Sequence, residues 1–249
     1  MEKKSPIINE LSKSTTLQNI IAANMTTDSI YNSVKDLPYA DGKFKTTPKV
    51  KDAVINFTLS KDPSKKVTLF NIHDYTIVPT NLIQVLENEY NEVVEEGLTY
   101  PYHETSHGEA FIKYWFTHFV AILIEGDYDS FDTLQDLSVD QWTDIFLGTF
   151  YTKPNYAGRC SHVCNAGFIV NHRKRGLGLG KELGQKYLEL APQLGYVYSV
   201  FNLVFETNQA SVKIWDSLGF DRIGYVKNVA VLKGHDKLVG AIMFGKDLQ

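Results

Sequence analysis

Residues 170–183 read Val170-Asn-His-Arg-Lys-Arg-Gly-Leu-Gly-Leu-Gly-Lys-Glu-Leu183. An apolar run ends, a basic loop follows with glycine at 176, 178 and 180, and a helical pattern opens. Glycines let successive backbone N–H groups turn toward one point. The N-terminus of the following helix adds partial positive charge there, and Arg173, Lys174 and Arg175 surround it. A pyrophosphate is the natural guest. Strand, phosphate-type loop and helix in succession require an α/β architecture in which helices cover a sheet.

The rest of the chain supplies the layers. Segments 53–59, 67–72, 120–124, 145–151, 161–170, 196–205, 220–232 and 238–244 have the apolar runs or alternation of strands. The spacing predicts a helix over 80–96, with Leu82, Val85, Leu86, Tyr90, Val93 and Val94 as its apolar stripe and Gly97 as its stop. Further helices are expected over 109–118, 178–194 and 210–218, the last stopped by Gly219. The stretch 126–140 is rich in aspartate and reads as a solvated loop, its spacing being unlike a calcium loop.

Two familiar nucleotide loops fit poorly. A dinucleotide-binding fold places its glycines after the first strand, with an acid about 20 residues on; here they follow four or five strands. A Walker loop ends in Gly-Lys-Ser/Thr, whereas Gly180-Lys181 is followed by Glu182. The net charge of −4 gives no basic excess for nucleic acid or a membrane surface. No run reaches the roughly 18 apolar residues of a membrane span.

Cys160 and Cys164 are the two cysteines, with His162 between them. A structural zinc site needs about four such ligands, so packing is the expected role and no metal is expected. If 160–164 were one strand, both thiols would share a face but stand too far apart for an easy disulfide. Two cysteines suit a reducing compartment. Residues 1–24 are polar and lack arginine, which makes a poor organelle presequence.

Arg175-Gly-Leu-Gly178-Leu-Gly180 resembles the Arg/Gln-x-x-Gly-x-Gly/Ala motif of the GNAT superfamily. About 30 residues later, Thr207-Asn208-Gln-Ala210-Ser211-Val-Lys-Ile-Trp215-Asp-Ser-Leu-Gly219-Phe220 is similar to that superfamily's Asn-x-x-Ala/Ser…Tyr-x-x-x-Gly-Phe segment. A narrower resemblance, to the fungal L-azetidine-2-carboxylate (proline-analogue) N-acetyltransferases, runs through Leu147-Gly-Thr-Phe-Tyr-Thr-Lys-Pro-Asn-Tyr156, Arg159-Cys-Ser-His-Val-Cys-Asn-Ala-Gly-Phe168, Tyr198-Ser-Val-Phe-Asn-Leu-Val-Phe205 and Gly245-Lys-Asp-Leu248. It is dense over 147–248, thinner at Leu98-Thr-Tyr-Pro101 and Tyr114-Trp-Phe116, and covers nothing in 1–60.

The resemblance implies a GNAT-type mixed, mostly antiparallel central sheet flanked by helices. Residues 61–249 would be the acetyltransferase domain and residues 1–60 an N-terminal extension able to add a strand. Acetyl-CoA would be the co-substrate, without a metal. Its pyrophosphate would meet the backbone near Arg175, Gly176, Gly178 and Gly180. Its pantetheine arm would lie along the strand carrying Phe168, Ile169 and Val170, whose free N–H would face the thioester carbonyl. Asn208 would reach the pantetheine or thioester, or else cap the following helix. Asn165, through its side-chain amide, and Asn202 and Leu203, through their backbone amides, would hold the acceptor's carboxylate; Asn202 and Asn208 are the candidate catalytic residues.

One departure stands out: the superfamily's usual tyrosine acid is Trp215 here, and an indole N–H is no acid. A thiol pKa near 8.5 makes unaided departure of the thiolate tolerable. Glu206 and His162 are the candidate bases, and Tyr114, Trp115, Phe116 and Phe150 are candidates to shape a small pocket. The expected acceptor is the imino nitrogen of a small cyclic amino acid: azetidine-2-carboxylate, cis-4-hydroxyproline or cyclised glutamate semialdehyde. The rivals are a GNAT enzyme for other amines or peptide N-termini, and a non-catalytic acetyl-CoA-binding protein. A homodimer follows from the resemblance alone. The expected location is the cytoplasm, with the mitochondrion as the alternative.

Overall fold

Phe119–Glu125 is apolar at nearly every position because both of its faces are buried. Phe119, Ala121 and Leu123 point into one core, and Val120, Ile122 and Ile124 into another. This strand is the third of eight in a computed structural model that describes residues 49–248. The strands are β1 (Val54–Leu59), β2 (Asp62–Ile72), β3 (Phe119–Glu125), β4 (Phe146–Pro154), β5 (Val163–Val170), β6 (Tyr198–Phe205), β7 (Asp221–Ala230) and β8 (Val239–Asp247). They form one sheet in the order β1-β2-β3-β4-β5-β6-β8-β7. Every neighbouring pair is antiparallel except β5 and β6.

Helices cover both faces. On one side lie α1 (Thr80–Glu96), α2 (Glu109–Trp115) and α3 (Val139–Ile145). The six stripe positions of α1, from Leu82 to Val94, are all buried. Gly97 ends it at φ 66°, the left-handed conformation a glycine reaches without a Cβ clash. On the other side lie α4 (Leu179–Leu190) and α5 (Gln209–Ser217), with Leu183, Tyr187 and Trp215 in the core. The mixed, mostly antiparallel sheet between helices matches the expected fold. Strand β1 falls within the expected 1–60 extension and pairs with β2 at the edge of the sheet. The expectation for residues 1–24 lies outside the described residues.

Several expectations are corrected. Strand β2 starts five residues before the apolar run, because Thr58 pairs with Lys66 in a hairpin whose outer end is polar. Helix α2 stops at Trp115, short of 118, since the chain must already be extended at Phe119. The 126–140 stretch leads into α3, which replaces the start of the strand expected at 145. Ser138 and Gln141 form a capping box there, and Trp142 is buried beneath it. The cysteines do not share a strand: Cys160 is exposed in the 3-10 turn Gly158–Cys160, and Cys164 is buried in β5. Cys164 Sγ lies 3.0 Å from the Tyr187 hydroxyl, and burial pushes its thiol up to about 12. Among the described residues, no group of three or more His, Cys, Asp or Glu side chains could hold a metal ion. No helix among them is long and apolar enough to cross a membrane.

The capping box gives a test of local folding. Ser138→Ala removes the acceptor for the Gln141 N–H and should lower stability by about 1 kcal/mol. A urea midpoint shifted down with an unchanged slope would show it.

Candidate active site

Strands β5 and β6 run parallel and pair only through Val163–Tyr198 and Cys164–Ser199. Beyond these pairs the two strands have no shared ladder. Residues 165–170 remain paired to β4 on one side, while the other side opens into a cleft. A second irregularity sits across the gap. In β6 the ladder to β8 shifts between Phe201–Phe244 and Val204–Ile242, so Asn202 and Leu203 together oppose Met243. Such a bulge re-aims backbone groups, here next to the parting.

Two cavities fill the opening. The first, about 580 Å³, takes Phe168, Ile169 and Val170 from β5, Arg175, Gly176, Gly178, Leu179 and Gly180 from the loop and the start of α4, and Asn208 from the start of α5. The second, about 400 Å³, takes Asn165 from β5 and Asn202 and Leu203 from β6. Thr99, Phe168, Ser211 and Trp215 line both, so the cavities meet there. The structure thus gathers the eight expected cofactor-side residues around one cleft and the three expected acceptor-side residues around its neighbour.

The loop is held by its side chains and leaves backbone toward the cleft. Asn171 is fully buried. Its amide nitrogen donates to the carbonyls of Thr143 (3.0 Å) and Phe146 (2.9 Å), and its oxygen accepts from the Arg173 N–H (2.9 Å). The His172 N–H and Nδ1 meet the buried Glu89 of α1 at 2.9 and 3.1 Å. Lys174 reaches the Asp144 carbonyl and lies 3.6 Å from Glu125. Arg175 forks onto Glu96 at the end of α1, at 2.6 and 3.0 Å. The glycines then turn. Gly176 and Gly178 both have φ 85°, and no side chain caps α4. An uncapped helix start next to left-handed glycines suits an anion.

This corrects the expected electrostatics. Lys174 and Arg175 are tied to acids and cannot be counted as free charge around the loop. The cations lining the cleft without an ion-pair partner among the described residues are Lys61, Lys181 and Lys213. Lys61 comes from the β1–β2 turn and Lys213 from α5, positions that only the assembled fold brings to the loop.

Asn208 does cap α5, accepting the Ser211 N–H at 3.1 Å, while its amide nitrogen lies 3.5 Å from Thr99 Oγ1 at the cavity junction. Trp215 donates its indole N–H to Ser211 Oγ at 2.9 Å and packs with Phe168, Phe201 and Phe220. Asn165 donates to the Val200 carbonyl at 2.9 Å, tying β5 to β6 just past their last paired residues. The Asn202 side chain is engaged with Asn155, donating at 2.6 Å and accepting at 3.2 Å, so it does not point freely into the pocket.

Neither candidate base lines the second cavity. Glu206 accepts from the Tyr225 hydroxyl (2.9 Å) and the Gly240 N–H (2.8 Å), facing β7 and β8. His162 lines neither cavity, and burial lowers its pKa. Of the four aromatics expected to shape the pocket, only Tyr114 does so; Trp115, Phe116 and Phe150 are core. The aromatic wall is made by Tyr100, Tyr102, Tyr114 and Tyr151. Burial raises the pKa of Tyr100, Tyr114 and Tyr151, so these stay neutral phenols. Tyr151 and the adjoining Lys153 and Asn155 were visible only as members of a motif, because alternation alone does not say which face of β4 meets a cavity.

Comparison with known proteins agrees with this geometry. The sequence model of the acetyltransferase (GNAT) family matches residues 91–220. The N-acetyltransferase aca1 of Schizosaccharomyces pombe is 40% identical over 167 residues, 66% of this chain and 78% of that protein. Protein SPT10 of Saccharomyces cerevisiae is 32% identical over 223 residues, 76% of this chain and 35% of SPT10, so the chain spans about a third of that relative. A GCN5-related N-acetyltransferase from Kribbella flavida superposes with a TM-score of 0.58 at 26% identity, over 73% of this chain and 97% of its own.

The Asn171 side chain links the loop to α3 and β4 through two hydrogen bonds and braces the loop itself through a third, to Arg173, and sequence reasoning gave it no role. Asn171→Ala should destabilise the protein by about 1–3 kcal/mol, the penalty for leaving buried backbone groups unsatisfied. It should also weaken coenzyme A binding several-fold. Calorimetric titration, run well below the variant's melting midpoint, separates the second effect from the first.

Proposed function

We propose that this chain, which belongs to the GNAT acetyltransferase family and is an acyltransferase using acetyl-CoA as co-substrate, acetylates the imino nitrogen of a small cyclic amino acid. The observation that carries this reading is the joining of two cavities at Thr99, Phe168, Ser211 and Trp215. One has the features of a diphosphate and pantetheine site. The other is small, walled by tyrosines and closed on one side by the Asn202–Leu203 bulge.

Acetyl-CoA brings an activated acetyl thioester. On this reading the loop amides from Gly176 to Gly180 and the unpaired Lys61, Lys181 and Lys213 receive its phosphates. The unpaired edge of β5 offers backbone groups to the pantetheine amides. A backbone N–H near Phe168 faces the developing oxyanion, a type of contact worth roughly 2.7–4 kcal/mol in other enzymes. The second N–H of the Asn165 amide and the amides at the bulge face the acceptor carboxylate. Asn208, already fixed as the α5 cap, stands at the junction and orients the thioester arm.

The chemistry is direct: the acceptor nitrogen forms the amide bond as the carbon–sulfur bond breaks. Among the described residues no acid or histidine lines the acceptor cavity, so on this reading the acceptor proton leaves to solvent. Trp215 gives its N–H to Ser211 and supplies no proton to the thiolate. A homodimer is part of this reading. Strand β7 is the sheet edge and exposes Ile223, Tyr225, Val226 and Val229, an unusual apolar density for an edge strand. A reducing cytoplasm suits the free Cys160 and Cys164.

Thiol release on adding azetidine-2-carboxylate to protein and acetyl-CoA is the expected result. Release only with linear amines or peptide N-termini would overturn the acceptor class, and none with any amine would leave a binding protein. Asn165→Ala should raise the acceptor KM much more than the acetyl-CoA KM. Light scattering should give a mass near twice 28.2 kDa.

A further inference from the structure

The acceptor cavity has one charged side chain. Its lining includes tyrosines, asparagines, a serine and backbone, with Lys153 and no Asp, Glu, Arg or His among the described residues. Lys153 lies in β4 directly opposite Asn165 of β5. Paired residues on adjacent strands put their side chains on the same face, about 4.5–5.5 Å apart at Cβ. Its ammonium sits 4.7 Å from the Tyr151 ring centre and 5.0 Å from that of Tyr114. No carboxylate among the described residues forms an ion pair with it.

This is an unusual place for a lysine. Surface lysines extend into water or meet an acid; this one is drawn into a pocket between two phenol rings. Burial lowers its pKa, the mark of a cation whose hydration is only partly replaced. Ring faces offset part of that loss. The nearby His118 adds no second charge at neutral pH, because burial and Lys153 itself hold its pKa at about 4. Among the described residues the pocket therefore presents a single positive charge with no internal counter-ion, beside the amide of Asn165.

We propose that Lys153 is the counter-ion for the carboxylate of the acceptor, and so the residue that makes this site select amino acids over plain amines. The inference rests on the cavity's being the acceptor site. It also bears on the missing base. A positive charge in the pocket disfavours a protonated acceptor nitrogen and favours the neutral, nucleophilic form, while its carboxylate is held. Asn165 and the bulge amides then set the direction of a carboxylate that Lys153 attracts.

The test compares acceptors in pairs, each acid against its own carboxamide: azetidine-2-carboxylate with azetidine-2-carboxamide, and a linear amino acid with its amide. Each is measured by turnover and by calorimetric titration into coenzyme A-saturated protein. The wild type should favour acid over carboxamide by about 10- to 100-fold, the range of a hydrogen bond to a charged group. Lys153→Met should bring that ratio close to one with the acetyl-CoA KM changed less than about 2-fold. Lys153→Arg should keep most of the preference. An unchanged ratio in Lys153→Met, or an equal fall in kcat for acid and carboxamide, would overturn the proposal. If only the linear pair is used, with the same Lys153-dependent ratio, the ring specificity fails and the counter-ion stands. If no acceptor is turned over, the titrations decide, and equal binding of acid and carboxamide overturns the proposal.

Discussion

The site exists because β5 and β6 pair for only two residues. A sheet gains by continuing its ladder, so two parallel strands that separate after Cys164–Ser199 leave backbone groups that need other partners. The gap is held at both margins. At the vertex, Tyr187 reaches across from α4 to place its hydroxyl 2.6 Å from Ser199 Oγ and 3.0 Å from Cys164 Sγ. One step further, Asn165 bonds the Val200 carbonyl, the last side-chain bridge before the strands diverge. Beyond it Phe168, Phe201 and Trp215 form the floor. An opening in a sheet is otherwise an exposed edge with aggregation risk; here helices α4 and α5 cover one face, and the open backbone is available to an extended ligand.

The phosphate loop shows how side chains and backbone divide their tasks. The side chains of Asn171, His172, Lys174 and Arg175 are engaged by partners on α1, α3, β3 and the start of β4. Two acids of one helix, Glu89 and Glu96, take His172 and Arg175. With the side chains fixed, the glycine backbone has a defined direction before any ligand arrives, which limits the ordering cost of binding. The cleft's free positive charge then comes from Lys61, Lys181 and Lys213 on three different elements. A basic run in sequence is thus an anchor, and the dispersed lysines are the field.

Much of the architecture was legible beforehand, for physical reasons that also explain the rest. Helix α1 had a full apolar stripe and a glycine stop, and its limits agree with the expected 80–96. The glycine loop and the Asn208 segment each need special backbone geometry, so they leave marks in sequence. Helix α3 is only seven residues with Trp142 as its one buried side chain; its Ser138–Gln141 capping box was the available signal. The N-terminal half of β2 is polar and exists because β1 offers it a partner, a fact no local pattern holds. Within the site, residues on loops and bulges were identifiable through motifs. Lys153, Tyr100 and Tyr151 lay inside quoted motifs but were given no role there, since that role depends on which strand faces open across the gap. Glu206 looked free at a strand end, yet folding gives both its oxygens to Tyr225 and Gly240.

If the smaller cavity takes the acceptor, as proposed, its lining among the described residues supplies neither a carboxylate base nor a tyrosine acid at Trp215. A base is needed when the bound nucleophile carries a proton that must be removed within the complex. An acid is needed when the leaving group is too basic to depart alone. A thiolate is the weaker demand, with an ordinary thiol pKa near 8.5, and Trp215 occupies the space with packing to Phe201 and Phe220 instead. The amine is the stronger demand. A pocket in which Tyr100, Tyr114 and Tyr151 stay protonated and whose one charged side chain among the described residues is an ammonium disfavours a second cation, so on this reading the acceptor's ammonium proton is lost to water on binding. Selection of the neutral nitrogen then leaves one N–H proton to be lost after attack, which passes through solvent to the departing thiolate and gives the free thiol. On the proposed reading, the same electrostatics would tie acceptor specificity and acceptor activation to one feature, the balance of charge across a cavity of about 400 Å³.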